Sequence, residues 1–282
     1  MTMNSLNFLN RRCCITILML LASLFAKAQT ARVGYMPQDG AFSIASSVGG
    51  GYSSVYDSYL SHNRYSGFNI TCSFEAVHHR KDALFFDLFE SECLINLSEL
   101  KDEARYSYSY AVGLDALFKL NYAFFEKGNI SLYTGPGLAT RLGAVYNPSN
   151  SNNPAQVKFH CMFAPHVAGV WRFKVVDYPM ALRVKTTIPL LGITFAPQYG
   201  QLYYEMYKYD GYAKTIRFAW PFKMPVIYND IALDFPVAGS LLRLSYNHNY
   251  SFCQYSNNTS AMNNHAFMIG VVRTLKELPY AK

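Results

Sequence analysis

Strict alternation of apolar and polar side chains is the strongest pattern in this sequence. From Tyr106 to Phe124 every even position is aromatic or aliphatic, and most odd positions are polar or small. Residues 157–175 and 242–252 repeat the pattern. A period of two indicates a β-strand with two different faces. The 19-residue length of the first run exceeds that of ordinary soluble strands, which have about 5–6 residues.

The same alternation, followed along the rest of the chain, predicts ten strands. They cover residues 41–55, 66–79, 83–97, 106–125, 129–146, 157–175, 180–195, 226–236, 239–255 and 264–275. Short connections alternate with longer ones, and the longer ones are 56–65, 98–105, 147–156, 196–225 and 256–263. Outer-membrane barrels have short periplasmic turns and long outer loops. An even strand number also places both ends of the chain on the periplasmic side.

Composition supports a membrane barrel. Charged residues are 15% of the chain, against about 25% in soluble domains, and aromatic residues are 16%. This aromatic content excludes a disordered chain, and a mean hydropathy of +0.01 excludes a bundle of membrane helices. The predicted fold is all-β, an antiparallel transmembrane β-barrel. A soluble β-sandwich is the alternative, but it requires shorter strands and fewer exposed aromatics.

Two segments depart from simple alternation. The parity slips near Leu88-Phe89, where a β-bulge would keep Glu90 and Glu92 away from lipid. In the segment 196–225, Tyr209–Tyr212 is typical of a tight hairpin turn. Its arms, 201–209 and 212–222, either extend an outer hairpin or add two spanning strands, making twelve. Their shortness favours ten.

An export signal is predicted at residues 1–28. Arg11 and Arg12 precede the apolar stretch Ile15–Phe25, and Ala26-Lys27-Ala28 forms a cleavage site. The barrel domain is then 29–282, located in the outer membrane of a Gram-negative bacterium. It carries 22 basic against 18 acidic residues and no basic run, so no nucleic-acid partner is expected.

A set of ionisable side chains falls on the predicted inward positions. In a narrow barrel, mixed-sign charges most often form a network that fills the interior. A polar pathway or binding site is the alternative. The candidate lumen residues are Glu75, Asp115, Arg141, His160, His166, Arg183, Lys185 and Arg243.

Catalytic and metal chemistry find little support. The Asp-x-His pair that ten-stranded outer-membrane proteases use at their outer rim does not occur. Ser245, Asn247, His248 and Asn249 supply lipase residue types, but successive strand residues point to opposite faces. The cysteines 72, 93, 161 and 253 lack metal-binding spacing and lie in predicted strands, although export would permit a disulfide. The prediction is therefore no enzyme, no metal and no cofactor.

The longest connection, 196–225, is rich in aromatic residues, which argues against disorder. Long loops in compact domains are usually functional. The segment is predicted to fold over the barrel mouth or to offer flat rings to a glycan. An aromatic girdle near the membrane interface is the alternative. The candidate binding residues are Tyr199, Tyr203, Tyr204, Glu205 and Trp220.

Several runs resemble a family of outer-membrane barrels of unknown function from Gram-negative gut anaerobes. They are APQYGQLYYE at 196–205, DFP at 234–236, LRLSY at 242–246 and HAFMIG at 265–270. YDSYL at 56–60, followed by YSG at 65–67, is also similar. The family has no established activity, so the resemblance implies fold and location.

The predicted function is a barrel with a narrow, side-chain-filled lumen and a structural or surface-binding role. A channel for small solutes or hydrophobic ligands is the first alternative. A membrane-embedded, lipase-like hydrolase is the second. Expected partners are outer-membrane lipid, the barrel-assembly machinery and a surface glycan or small solute.

Overall fold

The chain is almost entirely β-strand in the computed structural model, which describes residues 41–79, 86–104, 106–209, 215–237 and 240–276. The predicted signal at 1–28 lies outside these residues. The strands are β1 (Ala41–Asp57), β2 (Ser61–His79), β3 (Leu88–Asp102), β4 (Tyr108–Lys127), β5 (Ile130–Gly135), β6 (Gly137–Tyr146), β7 (Ala155–Phe163), β8 (His166–Val175), β9 (Tyr178–Thr187), β10 (Leu191–Phe195), β11 (Ile216–Ala219), β12 (Val226–Val237), β13 (Ser240–Tyr255) and β14 (Asn258–Lys276). One helix, α1 (Tyr203–Lys208), precedes β11.

All strand pairings are antiparallel, and the sheet closes on itself. β1 pairs with β14 over its whole length, from Ala41 opposite Lys276 to Asp57 opposite Ser260. On the far side, β4 pairs with β6 through its first half and with β5 through its second half. The wall therefore has no free edge along these pairings. The backbone N–H and C=O groups of these strands are hydrogen-bonded to neighbouring strands, as a barrel in lipid requires.

The chain passes from one end of the barrel to the other ten times, and we call each pass a crossing. Four of the ten crossings are each divided into two strands. β5 and β6 are separated by Pro136, and β7 and β8 by Ala164-Pro165. Proline removes a ladder hydrogen bond and so marks interruptions in a sheet. β9–β10 and β11–β12 form the other divided crossings. The fourteen described strands thus make the ten predicted crossings, and the barrel prediction is confirmed.

Burial alternates along the strands as predicted, with polar side chains inside and apolar side chains outside. In β4, Leu114 is 41% exposed, whereas the adjacent Asp115 is 0% exposed. Tyr110 and Phe118 also face outward. A soluble β-sandwich would bury these rings and expose the carboxylate, so the alternation is that of a barrel built for lipid.

The loop lengths differ from the prediction at two places. Residues 56–65 and 256–263 were expected to be long loops, yet β1 and β2 are joined by 58–60 and β13 and β14 by Ser256-Asn257. Ser256 and Asn257 have φ of 52° and 62°. Positive φ at both positions is typical of a two-residue hairpin turn. The polar ends of these strands continue the wall instead of forming loops.

The predicted bulge near Leu88-Phe89 is wrong. β3 keeps one register with β2 and with β4 from Leu88 onward. Glu90 and Glu92 face inward because β3 begins at Leu88 on the inward parity. Leu88 is an inward apolar residue at the start of β3, so the slip in the sequence pattern needs no extra residue in the strand.

The predicted arm 201–209 is also wrong, because it contains helix α1 instead of a strand. β11 pairs with β10, from Gly192 opposite Ala219 to Phe195 opposite Ile216, and so extends an existing crossing. The predicted Asp210-Gly211 turn lies outside the described residues. Within the described part of the chain, nothing supports the twelve-strand alternative. No described helix is long and apolar enough to cross a membrane.

The orientation of β4 makes a direct prediction. Leu114→Arg should lower the free energy of unfolding by about 2–4 kcal/mol, because a charge would enter the middle of the outward apolar belt. Urea titrations of protein refolded into lipid vesicles measure this change, with Leu114→Val as the matched control. Equal stability of Leu114→Arg and Leu114→Val would mean that Leu114 does not face lipid.

Candidate functional site

All eight predicted lumen residues point into the barrel, and each is buried. They do not form one cluster. Glu75, Arg183, Lys185 and Arg243 join a charge network toward the end of the barrel where β1 begins. Asp115, Arg141 and His160 form a second group, and His166 contacts Asn121 with 2.9 Å between Nε2 and Oδ1. Because side chains alternate between the two faces of each strand, all eight of these side chains face the lumen.

Glu75 lies at the centre of the charge network. Its Oε2 accepts hydrogen bonds from Arg183 Nη2 at 2.7 Å, Arg243 Nη1 at 2.9 Å and Lys185 Nζ at 3.3 Å. Arg183 Nη1 also contacts Oε1. Glu75 belongs to β2, whereas Arg183 and Lys185 belong to β9. In the closed order of ten crossings, β2 and β9 are five apart, so this contact joins opposite walls.

Sequence reasoning did not include five further members of the network. Lys119 lies 3.1 Å from Glu90 and 2.9 Å from Glu92, and Lys185 contacts the same two carboxylates. Asp234 holds Arg243 through two hydrogen bonds of 2.6 and 2.8 Å, and Asp230 lies 3.7 Å from Lys185. The inward parity of their strands was the signal that could have identified them.

The second group is built around Asp115 and Arg141. The guanidinium binds both carboxylate oxygens of Asp115, at 2.7 and 2.8 Å. Tyr228 donates its hydroxyl to Asp115 Oδ1 at 2.9 Å, and its oxygen lies 3.1 Å from Nε2 of His160. Arg141 also donates to Ser251 Oγ at 3.2 Å. β4, β6, β7, β12 and β13 are thereby tied together across the lumen.

These charges fill the interior and leave little room for water. A cavity of about 40 Å³ is lined by residues that include Arg141, His160 and Asn258. A second cavity of about 10 Å³ lies beside Lys119 and Lys185. One water needs roughly 10–15 Å³ of such space. The two cavities are therefore suited to a few waters, not to a transported solute.

The start of the segment between β10 and β11 lies against the end of the barrel where β1 ends. Tyr59 donates its hydroxyl to the carbonyl of Gln201 at 2.6 Å, and Asn258 Nδ2 donates to the carbonyl of Pro197 at 2.8 Å. Met206 of α1 is 0% exposed. The pKa of Tyr59 is raised by burial and then by Tyr203, so its hydroxyl stays protonated and remains a donor. We call residues 196–209 the cap.

The five predicted outer-loop residues separate into three positions. Tyr199, Tyr204 and Glu205 are exposed on the cap. Tyr203 turns inward, with its ring 6.3 Å from that of Tyr59 and its hydroxyl accepting the Val157 N–H. Trp220 lies on the outward wall, with its ring 5.3 Å from that of Phe222. The cap thus lies against the strand ends at one mouth of the barrel, where Tyr59 and Asn258 bind its backbone.

The lipase arrangement is not assembled. Ser245, Asn247 and Asn249 are buried in the lumen, whereas His248 lies on the outward wall. The cysteines 72, 93, 161 and 253 are free thiols. Among the described residues, no group of three or more His, Cys, Asp or Glu side chains could hold a metal ion.

Comparison with known proteins identifies one family. The profile described as "Protein of unknown function (DUF3316)" matches residues 13–282. A comparison with curated proteins returns no match.

Three solved barrels are similar in part. Neisserial surface protein A is 11% identical, with a TM-score of 0.30 over 83% of this chain and 99% of that chain. The translocator domain of autotransporter NalP from Neisseria meningitidis is 8% identical, with a TM-score of 0.32 over 95% of each chain. An outer membrane channel from Pseudomonas putida F1 is 10% identical, with a TM-score of 0.35 over 88% of this chain and 100% of that chain. These likenesses decide nothing about what this chain binds.

The Asp115–Arg141 pair predicts a large effect of a small substitution. Asp115→Asn leaves a buried guanidinium without its counter-charge and should lower the free energy of unfolding by about 3–5 kcal/mol. Glu99→Gln on the exposed side of β3 is the matched control and should change it by less than about 0.5 kcal/mol. Urea titration in lipid vesicles compares the two. Similar small losses would mean that Arg141 does not depend on Asp115.

The cap predicts a local effect. Tyr59→Phe removes the hydroxyl that binds Gln201 and should weaken the docked cap by about 0.5–1.5 kcal/mol. Amide hydrogen exchange across 197–209 should become faster, whereas Tyr204→Phe should leave it unchanged. Unaltered exchange in Tyr59→Phe would show that the cap is held by other contacts.

Proposed function

The chain belongs to the DUF3316 family of proteins of unknown function, and we propose that it is an outer-membrane β-barrel with a closed lumen and a structural or surface-binding role. The charge network that crosses the lumen is the observation that carries this proposal. Carboxylates of β2 and β3 meet cations of β9 and β13 inside the barrel. A solute could pass only if several buried ion pairs separated, and each unpaired charge would be costly.

Membrane placement is supported by the outward surface. Tyr110, Leu114 and Phe118 of β4 alternate with a buried polar face, as do the outward residues of the other long strands. Exposing such a belt to water would leave a large apolar surface without a partner. Outer-membrane lipid is therefore the proposed solvent of the belt, and the barrel-assembly machinery is the proposed partner in insertion.

Surface binding is proposed for the cap. Tyr199, Tyr204, Tyr207 and Tyr209 expose their rings at the end of the barrel that carries the longest connection. Docking of the cap through Tyr59 and Asn258 would hold these rings in place. A surface glycan is the proposed ligand class, because flat exposed rings suit stacking on a sugar.

A non-enzymatic role is proposed because Ser245 and His248 occupy opposite faces of β13. The channel alternative would need both the cap and the charge network to move. The cavity lined by Arg141 and Asn258 is the feature that a channel could enlarge.

Planar-bilayer conductance of refolded protein tests the closed lumen. The wild type should give no steady current, and a variant with residues 199–208 replaced by a Gly/Ser linker should remain silent because the charge network is intact. A gel heat-shift shows that each sample is folded. Steady single-channel currents from the folded wild type would contradict the proposal, and currents from the linker variant alone would make the cap the gate of a channel.

A further inference from the structure

The wall of the barrel has a seam at the end that carries the cap. β11 pairs with β10 along one edge, and no described strand pairs with its other edge. On the facing side, the pairing of β12 with β13 ends at Val226 opposite Ser251, although β13 continues to Tyr255 beside β14. We call the boundary between β11 and residues 252–255 the seam.

Side-chain contacts hold the seam together where a strand pairing is missing. Tyr255 donates its hydroxyl to the carbonyl of Phe218 at 2.7 Å, and Arg217 Nη2 donates to Ser256 Oγ at 3.2 Å. Backbone N–H groups of β13 also donate to carbonyls of the connection 220–225. A side-chain contact is broken by a change of rotamer, so the wall can part here without unzipping two paired strands.

A cavity lies behind the seam. Its volume is about 40 Å³, and Tyr255, Cys253 and Met224 line it, so Tyr255 belongs to both the seam and the cavity. Met224 and Cys253 pack in one apolar cluster. Arg141 and Ser251, which are hydrogen-bonded to each other, also line the cavity. The cavity is therefore apolar next to the seam and polar toward the ion-pair group around Arg141.

The outward side of the seam is aromatic and aliphatic. Ile216, Phe218, Trp220 and Phe222 are exposed on β11 and on the connection that follows it. In lipid, these side chains contact alkyl chains. A molecule that lies in the seam would therefore meet apolar groups outside and polar groups in the cavity. This order suits an amphiphile, which has an apolar chain and a polar head.

The charges around the cavity indicate an uncharged head. Arg141 binds both carboxylate oxygens of Asp115, and Lys158, which also lines the cavity, lies 2.6 Å from Asp57. Each of these buried cations already has its own carboxylate. A further anion would have no counter-charge and would be costly to bury. A hydroxyl both donates and accepts hydrogen bonds, and it fits a space that suits a few waters.

We propose that the seam is a lateral binding site for a single-chain amphiphile with an uncharged hydroxyl head. The hydroxyl occupies the cavity, and the alkyl chain lies in the seam, in contact with lipid. The charge network that crosses the lumen stays in place, because the cavity is reached from the side of the barrel. The site therefore adds a ligand to the closed-lumen role, and it rests on the membrane placement proposed above.

Quenching of tryptophan fluorescence by bromohexanol, brominated at the end of its chain, tests the site in protein refolded into lipid vesicles. The chain has two tryptophans. Trp171→Phe leaves Trp220 next to the seam, whereas Trp220→Phe leaves Trp171, which lies opposite Ile130 beside the β4–β5 turn. Quenching of Trp220 should saturate, because the site is limited. Quenching of Trp171 should rise linearly with the probe dissolved in the lipid.

Variants made in the Trp171→Phe protein locate the head of the probe. Cys253→Leu fills the cavity and should raise the dissociation constant about tenfold or more. Cys161→Leu, the same change on the outward face of β7, is the matched control and should leave it unchanged. Bromohexane lacks the hydroxyl and bromohexanoate adds a charge, so each should bind about tenfold more weakly. The gel heat-shift shows that each variant is folded.

The possible results separate the site from the membrane placement. Linear quenching of Trp220 in a folded, inserted barrel overturns the site and leaves the closed lumen standing. Saturation that Cys253→Leu does not change, or equal binding of bromohexane, would place the probe on the outward wall alone and overturn the proposal. Equal binding of bromohexanoate would overturn the uncharged head. Failure of the protein to insert into vesicles overturns the placement and the site together.

Discussion

The contact between Glu75 and Arg183 joins opposite walls of the barrel, and the closed interior depends on it. A carboxylate from β2 meets a guanidinium from β9 across the lumen, toward the end of the barrel where β1 begins. Arg243 and Lys185 converge on the same carboxylate, and each has further acidic partners. Taking these charges out of water is expensive, so they persist only as a network in which every member is paired.

This constraint explains why polar side chains lie inside and apolar side chains outside, the reverse of a soluble protein. Because the inside holds the charges, the outside must be apolar, and each strand meets both demands by alternation. Asp115 and Leu114 show both outcomes on adjacent residues of β4. The second ion-pair group, around Arg141, repeats the arrangement and ties β4, β6, β7, β12 and β13 together. The cap lies against the end of the barrel where β1 ends and does not contribute to the charge network.

Parity made much of the interior predictable, because a period of two assigns each side chain to a face. It placed Asp115, Arg183 and Arg243 inside. It could not pair Glu75 with Arg183, since they are 108 residues apart and no local pattern records which walls face each other. Tyr228 was missed because aromatic residues are expected on the outside, yet its hydroxyl serves Asp115.

Errors in the predicted connections have a common physical cause. Polar strand ends that extend past the apolar belt have the composition of loops, so Asn258–Asn263 was read as a loop although it is part of β14. The hairpin turn at Ser256-Asn257 carried a local signal, because asparagine tolerates positive φ. Helix α1 had no such signal within a tyrosine-rich segment, and its position depends on tertiary contacts of Tyr203 and Met206.

A double-mutant cycle between Glu75 and Arg183 tests the charged connection across the lumen most directly. Unfolding free energies of the wild type, Glu75→Gln, Arg183→Met and the double variant would be measured in lipid vesicles. A coupling energy of about 1–3 kcal/mol is expected, because the double variant removes both buried charges, whereas each single variant leaves the other charge without this partner. Additive effects of the two substitutions, with coupling near zero, would show that the opposite walls do not meet through this pair.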